Sequence, residues 1–336
     1  MISTDVFVIG AGMAGLTLAM NLKQQGRQVV CVDKARGSGG RLSSKRVQGT
    51  DLSVSFDLGA LSFSASSSQF QQSVNQWCET GHLQPWVSHG GVMQYVGCPR
   101  SSSLTRYLAD QIGVQFSVRV TAIVKGENNW SIYCEKDGHE SLYAYANEIV
   151  LACPAPQSYA LLPSDHSLKS VIKETNIHAQ WVAMFATSER LSVPDMMSNP
   201  NEAIHRISYE NTKPQRSFDH GLHVYCVQAS RQWSESRLEY SKDKVVYELA
   251  NELSELCPEP LIIKSDYAHR WLYSQGSDNG HVNSGFMSSE DGIYICGDTL
   301  LSGLDVGGVE AAFLSGCALA KFMCKVDKPA MAEPLT

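Results

Sequence analysis

No block of lysine and arginine interrupts this 336-residue sequence, and its formal net charge is -7. A nucleic-acid surface needs clustered cations to displace counterions from phosphates, so that class of partner is excluded from the reading. No run of about 20 uncharged apolar residues is present, the length a helix needs to span a bilayer, and no membrane partner is expected. Ten cysteines occur, none in a paired CxxC spacing; they sit in apolar segments such as VVCVD and IYICGD and read as reduced core residues. The N-terminus lacks the basic flank of a signal peptide, carries Asp5 and is broken by glycines. A reducing cytoplasm is therefore the expected compartment. Internal repeats and low-complexity segments are missing, as is any Ser-His-Asp or Cys-His constellation for nucleophilic catalysis. HxxH at His220 and His223 lies in a strand-like segment, where a spacing of three puts the two side chains on opposite faces, so no metal site is expected.

What remains is a chain that is 43% hydrophobic and 18% charged, ordinary for a globular protein and long enough for two cores. The first 34 residues fit a strand-helix-strand unit: DVFVIG as a buried strand, AGLTLAMNLKQQG as a helix ending at Gly26, and QVVCVD as the next strand. Between 116 and 134, FSVRVTAIV and WSIYCEK alternate as strands. The DG of KDGHE is a hairpin signal, and SLYAYA and then EIVLACPAP continue the run. Three crossing strands followed by a buried one are a familiar insertion between halves of a nucleotide-binding domain. Residues 161–267 form a separate layer, with strands at QWVAMFAT and LHVYCVQAS and an amphipathic helix at SKDKVVYELANELSELC. The chain returns to a strand at GIYICGD and a small-residue helix near VEAAFLSGCALAKFMCK.

The chemistry concentrates at the two ends. Gly10, Gly12 and Gly15 make GxGxxG directly between strand and helix: a tight turn, a close approach for a pyrophosphate, and close helix-strand packing. Through Ala11, Met13 and Ala14 the turn offers backbone amides to the anion at a helix N-terminus. Asp33, 18 residues after the third glycine, is placed to accept hydrogen bonds from ribose hydroxyls and disfavours a 2'-phosphate there. The following Lys34 and ARGSGGRLSS are too glycine-rich for a crossover helix and predict a loop. In it Arg36 and Arg41 can approach the pyrophosphate, while Gly39, Gly40 and Leu42 pass beneath a long cofactor. At the other end Gly297 and Asp298 close a buried strand, where a carboxylate can accept from a ribityl hydroxyl. About ten residues on, Gly308, Val309 and Ala312 lie in a helix start whose positive end suits the C2 carbonyl and N1 of a flavin. Both ends together point to FAD.

The sequence resembles the flavin amine oxidase superfamily and, within it, the small renalase-like proteins. VIGAGMAG, VDKARGSGGRLSSKR, FDLGALSF, EIVLACPAPQ, AHRWLY and YICGD carry the resemblance over nearly the whole chain. It implies an α/β fold of p-hydroxybenzoate-hydroxylase-like, amine oxidase architecture: a Rossmann-like FAD-binding domain with an interleaved sheet-based substrate domain. The expected division gives 1–74, 100–160 and 268–325 to the FAD domain, 75–99 and 161–267 to the substrate domain, and 326–336 to a tail. The resemblance further implies noncovalent FAD, contacted by Gly10, Gly12, Gly15, Asp33, Arg41 and Asp298, by the backbone at Val120 beside the adenine, and by Ala60 and Leu61 beside the isoalloxazine. His269, Trp271 and Tyr273 alternate in AHRWLY, share one strand face and, with Leu61 and Phe63, form the candidate substrate pocket; Arg270 points the other way. Departures from the renalase-like pattern are GALSF in place of GAQYF, Thr299 in place of an aromatic residue, a longer SGLDVGG segment, and Arg100 in YVGCPRSSS where a smaller residue is expected. The implied activity is hydride transfer from a small substrate to flavin N5 and reoxidation by dioxygen to hydrogen peroxide, with isomeric dihydro-NAD(P) as substrate. Oxidation of an amine or a biosynthetic intermediate is the alternative enzyme reading, and a non-catalytic flavin-binding sensor or scaffold the alternative of another class.

Overall fold

The computed structural model describes residues 1–48, 53–136, 138–218, 221–276, 284–301 and 307–326. The chain divides into two compact units, one of Met1–Ser38, Arg106–Asn176 and Asp278–Thr336, the other of Gly39–Thr105 and Ile177–Ser277. These units differ from the expected division, residues 100–105 among others falling in the second. Residues 39–74 belong to the second unit, because the hairpin strand Ser53–Asp57 packs its Phe56 into that unit's core. Residues 268–276 follow, because the strand Ile263–Gly276 pairs with Ile177–Thr187. Residues 161–176 go with the first unit.

The first unit is built on an eight-stranded sheet. Its parallel core runs Ile293–Cys296, His139–Leu151, Ile2–Ile9, Val29–Asp33, Gln115–Phe116. Val6, Phe7 and Val8 are fully buried, as expected where a parallel strand is covered on both faces and reads as one apolar run. The predicted helix is observed as Met13–Gln24, and the closing helix Gly308–Val326 lies so close to it that a Cβ on Gly316 would sit 2.5 Å from the Ala14 carbonyl oxygen. SLYAYA and EIVLAC, read as successive strands, are one strand, His139–Leu151, with a register shift between Leu142 and Ala144. Its first half pairs antiparallel with Trp130–Lys136 and its second half parallel with Ile2–Ile9. A single ribbon thus serves both the insertion and the core.

The second unit holds a five-stranded antiparallel sheet in the order Met196–Ser198, Ile204–Tyr209, His223–Ala229, Ile177–Thr187, Ile263–Gly276. Strand alternation gives it two faces. Trp181, Phe185, Tyr225, Val227 and Ala268 pack with Val245, Leu249 and Leu253, the i, i+4 stripe of the helix Lys242–Ser254, whose start is capped by Ser241 accepting from the Lys244 amide at 3.3 Å. On the opposite face Met184, Ala186, Val224 and Cys226 are covered by Phe56, Leu58 and Leu61. The ten cysteines are thiols and not disulfides, and burial pushes the Cys134 and Cys296 thiols up to about 12. Among the described residues no helix is long and apolar enough to cross a membrane, and no group of three metal-ligating side chains occurs.

Candidate functional site

The three glycines of the first turn do three different jobs. Gly10 adopts φ +115°, and a Cβ there would lie 2.6 Å from the Ala152 carbonyl oxygen at the end of the neighbouring strand. A Cβ on Gly15 would lie 2.1 Å from the Gly10 carbonyl oxygen. A Cβ on Gly12 would meet nothing within 4 Å, so nothing in the protein requires a glycine there. That leaves the backbone open to an approaching anion. Gly12 is the N-cap of the helix, makes no side-chain cap, and is followed by a first turn without acidic residues; the first amides of such a helix have no intrahelical acceptor. Ala11, Met13 and Ala14 are buried and contribute backbone only.

Asp33 is wired into the same turn. Its Oδ2 accepts from the Ala11 amide and its Oδ1 from the Ala35 amide, both at 2.8 Å. A carboxylate has about four lone-pair sites, so acceptor capacity remains for two ribose hydroxyls, while a phosphate on that ribose would meet a fixed negative charge. These residues fit the ADP portion of a dinucleotide such as FAD. Lys34 and Arg36 follow as exposed side chains in the turn. Val120 lies on Arg119–Lys125, a strand that pairs only with Trp130–Lys136 among the described residues and shifts register between Val120 and Ala122.

Farther along the same unit, Gly297 and Asp298 follow the strand Ile293–Cys296, with Asp298 buried in a short 3-10 turn. A Cβ on Gly308 would sit 3.7 Å from Asp298 Oδ2, so the strand end and the helix start read separately from sequence are neighbours. Val309 and Ala312 are buried, and so is Glu310, which places a carboxyl group in the helix's first turn and partly matches its positive end. Of SGLDVGG, residues 302–306 lie outside the described residues.

In the second unit residues 39–43 tighten into one 3-10 turn at Gly40–Leu42, with Leu42 buried. The Arg41 guanidinium, expected beside a pyrophosphate, donates to the Ser274 carbonyl at 2.8 Å. Gly59 is compulsory: a Cβ would fall 1.8 Å from the Arg41 carbonyl oxygen. That carbonyl accepts from the Ala60 amide at 2.8 Å, Leu58 O accepts from Trp271 Nε1 at 2.8 Å, and Gly59 O accepts from Gln228 Nε2 at 2.7 Å. The segment before Leu61 is thus fixed by three elements.

His269 and Trp271 share a face as expected, edge to face with centroids 4.6 Å apart, while Arg270 turns away over the Trp181 ring at 5.7 Å. Burial lowers the His269 pKa, helped by Lys242 and Lys45, so the imidazole is held neutral. Tyr273 is half-buried on the same strand. Leu61 is 1% exposed inside a core cluster against which Trp271 packs, and Phe63 packs against the Phe70 and Tyr95 rings at 5.9 and 6.5 Å. His223 Nδ1 meets the Tyr209 hydroxyl at 2.7 Å, and His220 lies outside the described residues.

The sequence reading missed a buried ion cluster. Asp57 Oδ2 is 3.1 Å from Lys213 Nζ and 2.7 Å from Arg216 Nη2, while Oδ1 accepts from the Ser101 amide and the Ser44 hydroxyl, each at 3.1 Å. Lys213 Nζ also lies 2.6 Å from Glu210 Oε1, to which the Ser208 hydroxyl donates. Burial pushes the Asp57 carboxyl up, but Lys213 and Arg216 overrule it and hold it well below the carboxylate range; for Glu210 burial prevails and the carboxyl is raised. Only the i, i+3 spacing of Glu210 and Lys213 was visible in the sequence, since Asp57 lies more than 150 residues away.

Residues 8–78 match the family of NAD(P)-binding Rossmann-like domains. Among solved structures, the chain is similar to a protein assigned as a protoporphyrinogen oxidase from Exiguobacterium sp. 255-15, with 11% identity, TM-score 0.73, and coverage of 97% of this chain and 99% of that one. A cofactor-redesign variant of putrescine oxidase gives 11% identity and TM-score 0.73 over 97% of this chain and 100% of that one. Wild-type putrescine oxidase bound to putrescine gives 12% and 0.68 over 96% and 99%. At such identities the likeness shows a shared fold.

Proposed function

We propose that the protein is an FAD-dependent oxidoreductase that holds its flavin noncovalently and oxidises a small substrate, with an isomeric dihydro-NAD(P) as the renalase-like choice of substrate. One observation carries the reading: an uncapped helix N-terminus with an open Gly12, beside a carboxylate tied by hydrogen bond to the same turn. The fold shared with oxidases of the putrescine and protoporphyrinogen type supports it. Bound there, the flavin would accept a hydride from a substrate carbon at N5 and return the electron pair with two protons to dioxygen as hydrogen peroxide.

The chain's own residues bind, orient and exclude water. The helix-start amides after Ala11, whose own N–H is given to Asp33, would receive the pyrophosphate, and Asp33 the adenine-side ribose. Asp298 would accept from the ribityl chain, and the Gly308 helix start, its positive end moderated by buried Glu310, would face the ring. Trp271, fixed through its indole N–H to the Leu58 carbonyl, would offer its ring face to a dihydropyridine, with the neutral His269 imidazole set steeply beside it.

The test is the visible spectrum of the purified protein, followed by anaerobic mixing with 2- or 6-dihydro-NAD(P), ordinary 4-dihydro-NAD(P)H and primary amines. Oxidised-flavin bands, bleached fastest by the dihydro isomers, are expected. A folded, colourless protein that does not take up FAD refutes the cofactor; fast bleaching by an amine and slow bleaching by the isomers refutes the substrate.

A further inference from the structure

Two lysines from elements on opposite faces of the five-stranded sheet reach the same aromatic ring. Lys242, the first residue of the helix Lys242–Ser254, brings its Nζ to 4.9 Å from the Tyr267 ring centroid and 3.5 Å from the Tyr267 hydroxyl. Lys45, on the hairpin strand Ser44–Gln48, brings its Nζ to 6.0 Å from that ring. It stands directly opposite Phe56 in the hairpin, so the two project to one side, and Phe56 is packed into the core on the sheet face opposite the helix. Tyr267 and Trp271 pack against that core, and His269 lies between them on the same face. All three rings are half-buried and both lysines are exposed, so the row stays open to solvent along the edge strand of the sheet.

The charge on this row is of one sign. Among the described residues neither ammonium forms an ion pair; the ring of Tyr267 is what both approach. The acids nearest in the chain, Asp243 and Asp266, are turned elsewhere: Asp266 stands opposite Phe185 of the helix-covered core, and burial together with Asp243 raises its carboxyl. At His269 burial lowers the pKa, and the charged groups that act with it are Lys242 and then Lys45, with no carboxylate opposing them. In a chain of net charge -7, the His269–Trp271 pair therefore lies in a local positive field.

We propose that Lys45 and Lys242 select the charge of the substrate: they receive a phosphate of the molecule whose ring lies against Trp271, and they turn away cationic amines. Alternate residues of a strand are about 7 Å apart, so the lysines at Tyr267 lie one such step beyond His269, about the span between a pyridine ring and the phosphate of its ribotide. An ammonium suits this work, since it attracts as a hydrated point charge without demanding one geometry. The inference deepens the oxidoreductase reading by favouring its phosphate-bearing substrate over an amine, and it rests on that reading for the placement of the ring.

The experiment is calorimetric titration of the protein as purified with nicotinamide mononucleotide, with nicotinamide riboside, which lacks only the phosphate, and with 1,4-diaminobutane, in the parent, Lys45→Met, Lys242→Met and the double variant. The His269 imidazole is titrated by NMR in parent and double variant. The mononucleotide should bind the parent about tenfold more tightly than the riboside at low salt, as two solvent-exposed charge contacts allow, and the diamine more weakly than either. That preference should shrink in about 1 M salt, where screening acts within about 3 Å. Each single variant should lose several-fold in affinity for the mononucleotide and none for the riboside, and the double variant should bind the two alike. His269 should titrate at higher pH in the double variant, because two cations that disfavour its protonation are gone. A parent that binds the mononucleotide no better than the riboside, or the diamine better than both, overturns the proposal. So does a double variant that keeps the preference or whose His269 titrates as in the parent. Should the double variant fail to fold, a preference in the parent that salt leaves unchanged overturns it. None of these measurements uses flavin reduction: a colourless protein that shows the preference sinks the oxidoreductase reading and leaves the lysines their role, whereas a yellow protein bleached by the dihydro isomers but indifferent to the phosphate does the reverse.

Discussion

Replacing Asp57 by Asn keeps its shape and removes the one charge that Lys213 and Arg216 share. Lys213 is fully buried and Arg216 4% exposed, with the carboxylate at 3.1 and 2.7 Å. At an effective dielectric of about 20, each contact is worth about 5 to 6 kcal/mol before desolvation and cation-cation repulsion are subtracted. Breaking a buried pair by deleting one partner costs about 3 to 5 kcal/mol in comparable cases. For a unit of this size each kcal/mol moves the melting temperature by about 2 to 4 °C, so Asp57→Asn should melt about 6 to 20 °C lower by calorimetry. The pH dependence has a definite sign. The folded-state pKa of Asp57 is depressed, so its contribution is fully present above about pH 4, its unfolded value, and fades as pH falls from there toward the lower folded value. The gap between parent and variant should therefore be constant near neutrality and close in acid. A variant melting within 2 °C of the parent at pH 7 would show that the cluster is solvated and that its burial does not govern its energy.

Two substitutions in the first turn should part company. Gly12→Val leaves the helix folded, since its Cβ meets nothing, yet abolishes FAD uptake; Gly15→Val drives its side chain into the Gly10 carbonyl and should unfold the unit, so melts together with flavin titrations separate them. Asp298→Ala should loosen FAD by at least about tenfold, the loss of a charged acceptor being worth about 1.5 to 3 kcal/mol, read by flavin fluorescence; equal affinity would remove Asp298 from the site.

What could be read from the sequence was what neighbours along the chain decide. The glycine turn and its helix, the shared face of His269 and Trp271, and the apolar stripe of Lys242–Ser254 follow from local spacing and were found where expected. The unit boundaries were misplaced because residues 39–74 carry no signal of which core they join; Phe56 and Leu58 reach it only by packing against strands more than 100 residues later.

The start of the first helix is held from two directions by contacts with no slack: the Gly10 carbonyl against Gly15 on one side, and Gly316 of the closing helix against the Ala14 carbonyl on the other. A segment wedged in this way has its amides aimed before any ligand arrives. Its ordering entropy is spent during folding, so little remains to be lost when a pyrophosphate binds. Cofactor affinity at this end therefore depends on the distance between two helices, and a single added methyl group at Gly316, touching no ligand, would spread them and blur the aim of every amide in the turn.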